Sequence, residues 1–322
     1  MRRNTFRSYK QASSYIVGPL LIGDRVDRHQ FTRRGRKKPD AQLISMLGEI
    51  EIAQLTTAQI RTWHKLLSLH VGTYTARVAK KFLRAALSII AEDFGVRVPP
   101  MPTRLGPGRP SRKKLILTPE QVGILLSAAQ HDARGLYYAF PFLTGVRPSE
   151  QLALLWEDVD LDARVIHIRR TQEPQGSSVE LTKTAASHRD IPMSEMLHSM
   201  IADWRANCPL GGVCGSRVFP CLGARRAKQS TTRGRSLGYT NFVYTYWRPA
   251  ITALGLPPVT PHSARHTFIS TLQAHGAEVG LVAQLAGHAN ANVTLSHYTQ
   301  AIRGGERAVQ ALDEAYRGTV QP

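Results

Sequence analysis

Six side chains in this sequence are of the types that moving a phosphodiester bond requires: Arg147, Lys183, His262, Arg265, His288 and Tyr298. They stand in the segments GVRPSE, LTKTAASHRDIP, PHSARHTF and LAGHANANVTLSHYT. An arginine offers a planar fork of donors to two nonbridging oxygens. A histidine exchanges protons near neutrality, and a lysine ammonium can protonate a departing 5′ alkoxide. Tyr298 is the candidate nucleophile; a phenol with an ordinary pKa of about 10 needs a proton acceptor and nearby positive charge to attack at neutral pH. Singly, each has a plainer reading: a surface arginine, an exposed hairpin lysine, a half-buried amphipathic ring.

The elements that must hold these groups can be read from local signals. Thr118-Pro119-Glu120 opens a helix, because threonine caps and proline tolerates the first helical position. An apolar segment over 136–143 ends at Thr144-Gly145, and Pro148-Ser149-Glu150 starts the next helix, with Leu152, Leu155 and Trp156 on its buried side. Arg147 then falls between helices in the extended geometry favoured before proline, and Glu150 either steadies it by hydrogen bonding or favours the helix N-terminus. Strand-like stretches over 165–169, 179–182 and 189–193 predict one small antiparallel sheet, with 184–188 as a turn and Lys183 at a strand end. Thr260-Pro261 opens a helix carrying His262 and Arg265 on one face of its first turn, where free backbone amides also favour an anion. A helix over 279–286 stops at Gly287 and delivers His288 into a loop. Asn292 caps a last helix bearing Tyr298, and 304–316 has helical spacing that suits docking on a neighbouring protomer or on its own domain.

The chain of 322 residues, with a formal charge of +19, suffices for two ordinary domains. Charge is uneven: residues 1–116 hold 23 lysines and arginines against 7 acids, and the remainder is nearly balanced. Such a front half binds a polyanion, most simply nucleic acid, with an anionic membrane surface as the competitor. No apolar run is long enough to span a bilayer. The stretch 15–23 after Arg2, Arg3, Arg7 and Lys10 imitates a signal peptide, but Gly18-Pro19 interrupts it without a cleavage site, which predicts an intracellular protein. Cys208, Cys214 and Cys221 are an odd number in one glycine-rich stretch, so reduced thiols are expected; a zinc site would need a fourth ligand and the usual tight pair. A metal on His262, His266, His275 or His297 is disfavoured by the arginine that His262 and His266 flank.

A basic linker is expected over 106–117, carrying Arg112, Lys113 and Lys114, between a front domain (1–105) and a second domain (118–322). In front, Thr57 caps a helix to about His70, and Thr73 or Thr75 opens another that reaches Phe94 before Gly95. On the latter, Arg77, Lys80, Lys81 and Arg84 share one face, read as a DNA contact or as solvated surface, while Val78, Phe82, Ala85 and Ile89 form a packing face. The run RRGRKK at 33–38 reads as a disordered phosphate-grasping arm, as a nuclear address in a eukaryotic host, or as a solubilising loop.

Taken together, GVRPSE, the lysine hairpin, HSARH, the AGH turn and Tyr298 resemble the catalytic half of the tyrosine recombinases, the integrases of phages and other mobile elements, over about residues 118–300. The resemblance implies a mainly α fold with a small antiparallel β-sheet (α+β), built as a two-domain C-shaped DNA clamp of a helical core-binding domain and a catalytic domain. It implies that Tyr298 forms a 3′-phosphotyrosine, Arg147 and Arg265 stabilise transition-state charge, His262 assists proton transfer, His288 binds phosphate and Lys183 acts as general acid. No cofactor is implied. The implied partners are double-stranded DNA at attachment or recombination sites, three further copies in a homotetramer, and excision or DNA-bending accessory proteins, in the cytoplasm at the nucleoid. Ala264 and Ala286 stand where the family carries larger apolar residues, shrinking the packing beneath the site. A chromosome or plasmid resolvase of the same chemistry, or a catalytically silent DNA-binding regulator, are the alternatives.

Overall fold

The computed structural model describes residues 3–103, 105, 114–176, 179–181, 188–209, 211–223 and 234–288. Two compact units partition the chain, residues 1–112 and 113–322. Among the described residues no helix is long and apolar enough to cross a membrane.

The first unit is helical: α1 (Arg3–Val17), α2 (Arg25–Arg34), α3 (Thr57–His70) and α4 (Thr73–Phe94), with two-residue strands β1 (Leu20–Leu21) and β2 (Leu43–Ile44) paired antiparallel. Thr56, one residue earlier than expected, is the cap of α3; its side chain accepts from the Gln59 backbone and Gln59 answers in a capping box. The packing face of α4 also differs. Ala76, Ala79, Leu83 and Leu87 are buried against Ile60, Trp63 and Leu67 of α3, whereas Ala85 and Ile89 are exposed. Small alanines let α3 and α4 approach closely, and this outweighs the larger side chains of the neighbouring stripe. Trp63 donates its indole N–H to the Tyr15 carbonyl at 2.8 Å, tying α1 to α3.

The second unit surrounds an apolar helix. Thr118 caps α5 (Pro119–Gln130) in a capping box with Gln121, and α6 (Gly135–Thr144) follows, buried on nearly every side. A helix that is apolar all round belongs inside. Tyr137 on α6 stacks on Tyr246 at 4.2 Å and meets Phe219 and Trp204 edge-on; burial pushes its hydroxyl pKa up, and the hydroxyl donates to the Pro220 carbonyl. α7 (Pro148–Gln151) is a single turn, shorter than expected, so Leu155 and Trp156 lie beyond it, Trp156 buried and Leu155 partly so.

The strands form two sheets where one was expected. β3 (Val159–Asp160), β4 (Val165–Ile168) and β7 (Arg189–Pro192) run in that order, while β5 (Arg170–Gln172) and β6 (Val179–Leu181) pair separately, all antiparallel. Ile166, Ile168 and Ile191 enter the core. The rest is helical: α8 (Glu195–Asn207), α9 (Tyr239–Phe242), a π-helical turn over Val243–Trp247, α10 (Arg248–Ala253), α11 (Pro261–Ala274) and α12 (Val279–Ala286). α11 packs on α6, and Ile269, Val282 and Ala286 form a small second cluster with α12.

Candidate active site

Two helix ends and a buried carboxylate build the site. α6 stops at Gly145, whose φ of 63° is the left-handed conformation that ends helices at low cost only with glycine. The chain then extends through Arg147, and Pro148 starts α7. Arg265, in the first turn of α11, is 1% exposed and donates Nη1 to the Gly145 carbonyl at 3.0 Å. Thr260 caps that turn in a box with Ser263. α12 ends at Gly287, again left-handed, and its carbonyl accepts from Arg147 Nη2 at 2.6 Å. The cationic groups thus meet the carbonyl ends of α6 and α12, where the helix dipoles favour positive charge.

Glu150 organises the arginines. At 3% exposure it accepts from Arg147 Nη1 at 2.7 Å and from the Arg147 backbone at 2.9 Å, and Arg189 from β7 reaches it at 2.8 Å. Burial works against its charge, but the hydrogen bond and charge of Arg189, with Arg147, prevail and hold its carboxyl below the usual range. Both roles expected of Glu150 therefore hold: it binds side chains and also caps α7.

Two guanidinium groups bind this carboxylate, and the third, Arg265, lies within reach of its charge. Burial pushes Arg265 down to about 9, with the neighbouring Arg147 and Arg189 adding to the effect and Glu150 opposing it. Its Nη2 is buried with no hydrogen-bond partner among the described residues. A buried donor left unsatisfied costs about 1–3 kcal/mol, so the arrangement favours an anion that supplies acceptor atoms and negative charge together. A phosphodiester fits both needs.

Of the six sequence-selected residues, Arg147 and Arg265 meet around Glu150. His288 follows Gly287 directly, its backbone N–H on the Ala283 carbonyl. His262 is exposed at the start of α11, its ring edge-on to His266 at 4.8 Å. Lys183 and Tyr298 lie outside the described residues, as do Asn292 and the tail over 304–316. Ala264 is fully buried in the main core and Ala286 in the small α12 cluster. Arg189 was missed, because within a strand pattern its alternation looked like any edge residue; the one signal was a charged residue at an inward strand position, with Ile191 next on that face. Cys208 is buried, its thiol pushed up to about 11 by burial, while Cys214 is exposed.

Gly145 tolerates no side chain. A Cβ there would lie 2.3 Å from Phe268 Cδ1, in a backbone conformation that already disfavours it. Gly145→Ala is expected to cost about 2–3 kcal/mol, visible as a lower midpoint in urea with an unchanged slope.

In the first unit the basic surfaces are redistributed. Arg77, Lys81 and Arg84 on α4 are exposed, but Lys80 is half-buried and donates to the Pro102 carbonyl at 2.6 Å, which commits it to holding the chain after α4. RRGRKK is not the disordered arm expected but is built into the unit: Arg33 and Arg34 end α2, Gly35 is its left-handed cap and Lys38 pairs with Asp27 at 2.8 Å. A groove between α1 and α2 is lined by Arg7, Lys10, Arg25, Arg28 and Arg33, with no acid among its lining residues. In the sequence Arg7 and Lys10 stood out only among the basic residues ahead of the stretch 15–23. Lys114 is exposed, and Arg112 and Lys113 lie outside the described residues.

A mainly helical α+β unit holding paired arginines at helix ends defines a class, and comparison with known proteins specifies it. Residues 116–303, more than half of the chain, match the phage integrase family. The chain belongs to that family and is a tyrosine recombinase. It is 22% identical to a XerC-like tyrosine recombinase of Caldanaerobacter subterraneus, over 84% of this chain and 74% of that one. It is 28% identical to the transposase of transposon Tn916 from Enterococcus faecalis, over 84% and 69%. Among solved structures, the Tn1549 transposon integrase in complex with transposon right end DNA aligns with a TM-score of 0.70 at 21% identity, covering 94% of this chain and 98% of that one. A lambda integrase dimer bound to a core site aligns with a TM-score of 0.52 at 16% identity, over 92% and 89%. These two likenesses are of fold.

Proposed function

We propose that this recombinase integrates and excises a mobile element, cutting and rejoining duplex DNA through Tyr298. The observation that carries the chemistry is the buried guanidinium of Arg265, beside Arg147 and Glu150, with a donor unsatisfied until an anion arrives. The phenol oxygen of Tyr298 bonds to phosphorus as the bond to the 5′ oxygen breaks, and Lys183 supplies the proton that makes the departing oxygen a hydroxyl. Arg147 and Arg265 hold the nonbridging oxygens as charge builds, His288 adds a hydrogen bond, and exposed His262 exchanges the phenol's proton. The covalent 3′ link conserves the bond energy for rejoining, so the residues require no metal or nucleotide. The likeness to a Tn916 transposase favours a mobile element over a resolvase role. Four copies on two duplexes, assisted by bending or excision factors at the nucleoid, complete the reading.

Trapping with detergent on supercoiled DNA that carries the gene's flanking regions tests it. An adduct whose modified peptide contains Tyr298 supports the mechanism; binding without any adduct favours the silent-regulator alternative.

The α1–α2 groove is proposed to bind the DNA backbone beside Arg77, Lys81 and Arg84. Every phosphate that a cation no longer neutralises lowers the slope of log affinity against log salt by about 0.9. Replacing Arg7, Lys10, Arg25 and Arg33 by glutamine is therefore expected to flatten that slope by about 3–4 in a titration with duplex DNA. Lys80→Gln, by contrast, is expected to leave it within about 0.5.

A further inference from the structure

Arg189 has no place in the phosphate chemistry above, yet it is among the most constrained side chains in the protein. Its side chain is 2% exposed. Nη2 donates to Glu150 Oε2 at 2.8 Å, Nη1 lies 3.3 Å from Oε1, and Nε donates to the Leu285 carbonyl at 2.7 Å. One guanidinium on β7 thereby spans α7 and the C-terminal end of α12. Gly287 lies against it so closely that a Cβ there would be 2.7 Å from Nη1. Arg147 closes the same loop, bridging Glu150 Oε1 and the Gly287 carbonyl.

We infer that Arg189 is a positioning residue: it latches the end of α12 to Glu150, so that Arg147 and the backbone entering His288 keep a fixed register around the bound phosphate. The catalytic consequence rests on the recombinase reading; the latch itself does not. Stability alone does not explain the arrangement, since an apolar replacement of a buried ion pair is commonly neutral or stabilising. What an apolar group cannot do is bind a carboxylate with two donors and a helix carbonyl with a third, all in one plane.

The carboxylate gives the latch a titration signature. Glu150 faces Arg147 at the start of its own helix, Arg189 from β7 and Arg265 from α11. With Arg189 gone, burial acts on Glu150 against fewer countercharges. The carboxyl then protonates at a higher pH, and in that form one of its oxygens is no longer available to Arg147 as a full acceptor.

Arg189→Lys and Arg189→Gln in the full chain test the proposal by two independent routes. Without DNA, amide exchange at residues 285–288 is expected to rise at least about tenfold in both variants while that of α8 stays unchanged, because a local opening is released and not global unfolding. With the flanking-region DNA, adduct formation by Arg189→Lys is expected to slow by about 100-fold, the scale of a small misplacement, at unchanged DNA affinity. The Arg189→Gln rate should fall further as the pH drops from 8 to 6, more steeply than in the parent. If Arg189→Gln fails to fold, the charge-conserving lysine variant carries the test alone. Unchanged exchange at 285–288, or adduct formation at the parental rate and pH profile, overturns the latch. A parent protein that forms no adduct overturns the recombinase reading instead, and the exchange measurement still decides the latch.

Discussion

Replacing Arg265 by methionine is expected to raise thermal stability while lowering strand cleavage by about 10²–10³-fold, the usual cost of removing one donor from a developing oxyanion. The two effects share a cause. Burial, with Arg147 and Arg189 nearby, holds the Arg265 pKa down at about 9, well below the ordinary arginine range, which weighs heavily against the charged form. Methionine fills similar length without charge and forfeits one bond to the Gly145 carbonyl, worth about 1–3 kcal/mol as a buried acceptor left unpaired. The charge relieved outweighs the bond forfeited. Because the folded state binds this proton less tightly than the unfolded one, the parent's deficit is fully present below pH 9 and shrinks as pH rises through that value. The stability gap between variant and parent should therefore narrow above pH 9. Calorimetry beside the adduct assay measures both; an unaltered or lower melting temperature with cleavage intact would sink this account of the site.

Glu150→Ala should do the opposite and threaten the fold itself. It leaves Arg147 and Arg189 with bonds to nothing in its place and Arg265 without the nearby countercharge. Removing one partner of a buried pair costs about 3–5 kcal/mol, or about 10 °C in a unit of this size. A Glu150→Gln variant separates charge from shape. The Glu150 carboxyl lies below its ordinary value of 4.5 when folded, so its contribution is present above that value and is lost as pH falls through the folded one. Parent and Glu150→Gln should accordingly differ most near neutrality and converge under acid. Equal acid sensitivity with a constant offset would show that the carboxylate's charge contributes nothing.

How much of this was legible beforehand depends on the range of the interaction. Helix starts at Thr118-Pro119 and Thr260-Pro261, and stops at Gly95, Gly145 and Gly287, came from the sequence because a cap involves only residues three or four positions apart. The kinds of chemistry at Arg147 and Arg265 came from it too, since a guanidinium's donors do not depend on context. Errors appeared where neighbours distant in sequence decide. On α4 two apolar stripes competed, and only packing with α3 selected Ala76, Ala79, Leu83 and Leu87 over Ala85 and Ile89. Lys80 could not be told from Lys81 until the Pro102 carbonyl came beside it.

By itself, then, the sequence determined the helical punctuation, the concentration of positive charge in the first 116 residues and the inventory of candidate reacting groups. Tertiary structure decided which arginines act together: Arg147, Arg189 and Arg265 come from a loop, a strand and a helix, 42 and 76 positions apart in turn; the first two meet on one carboxylate, and the third sits within its field at the end of α6. Their energies depend on burial and on one another's charge, and both exist only once β7, α11 and α12 have packed against the end of α6.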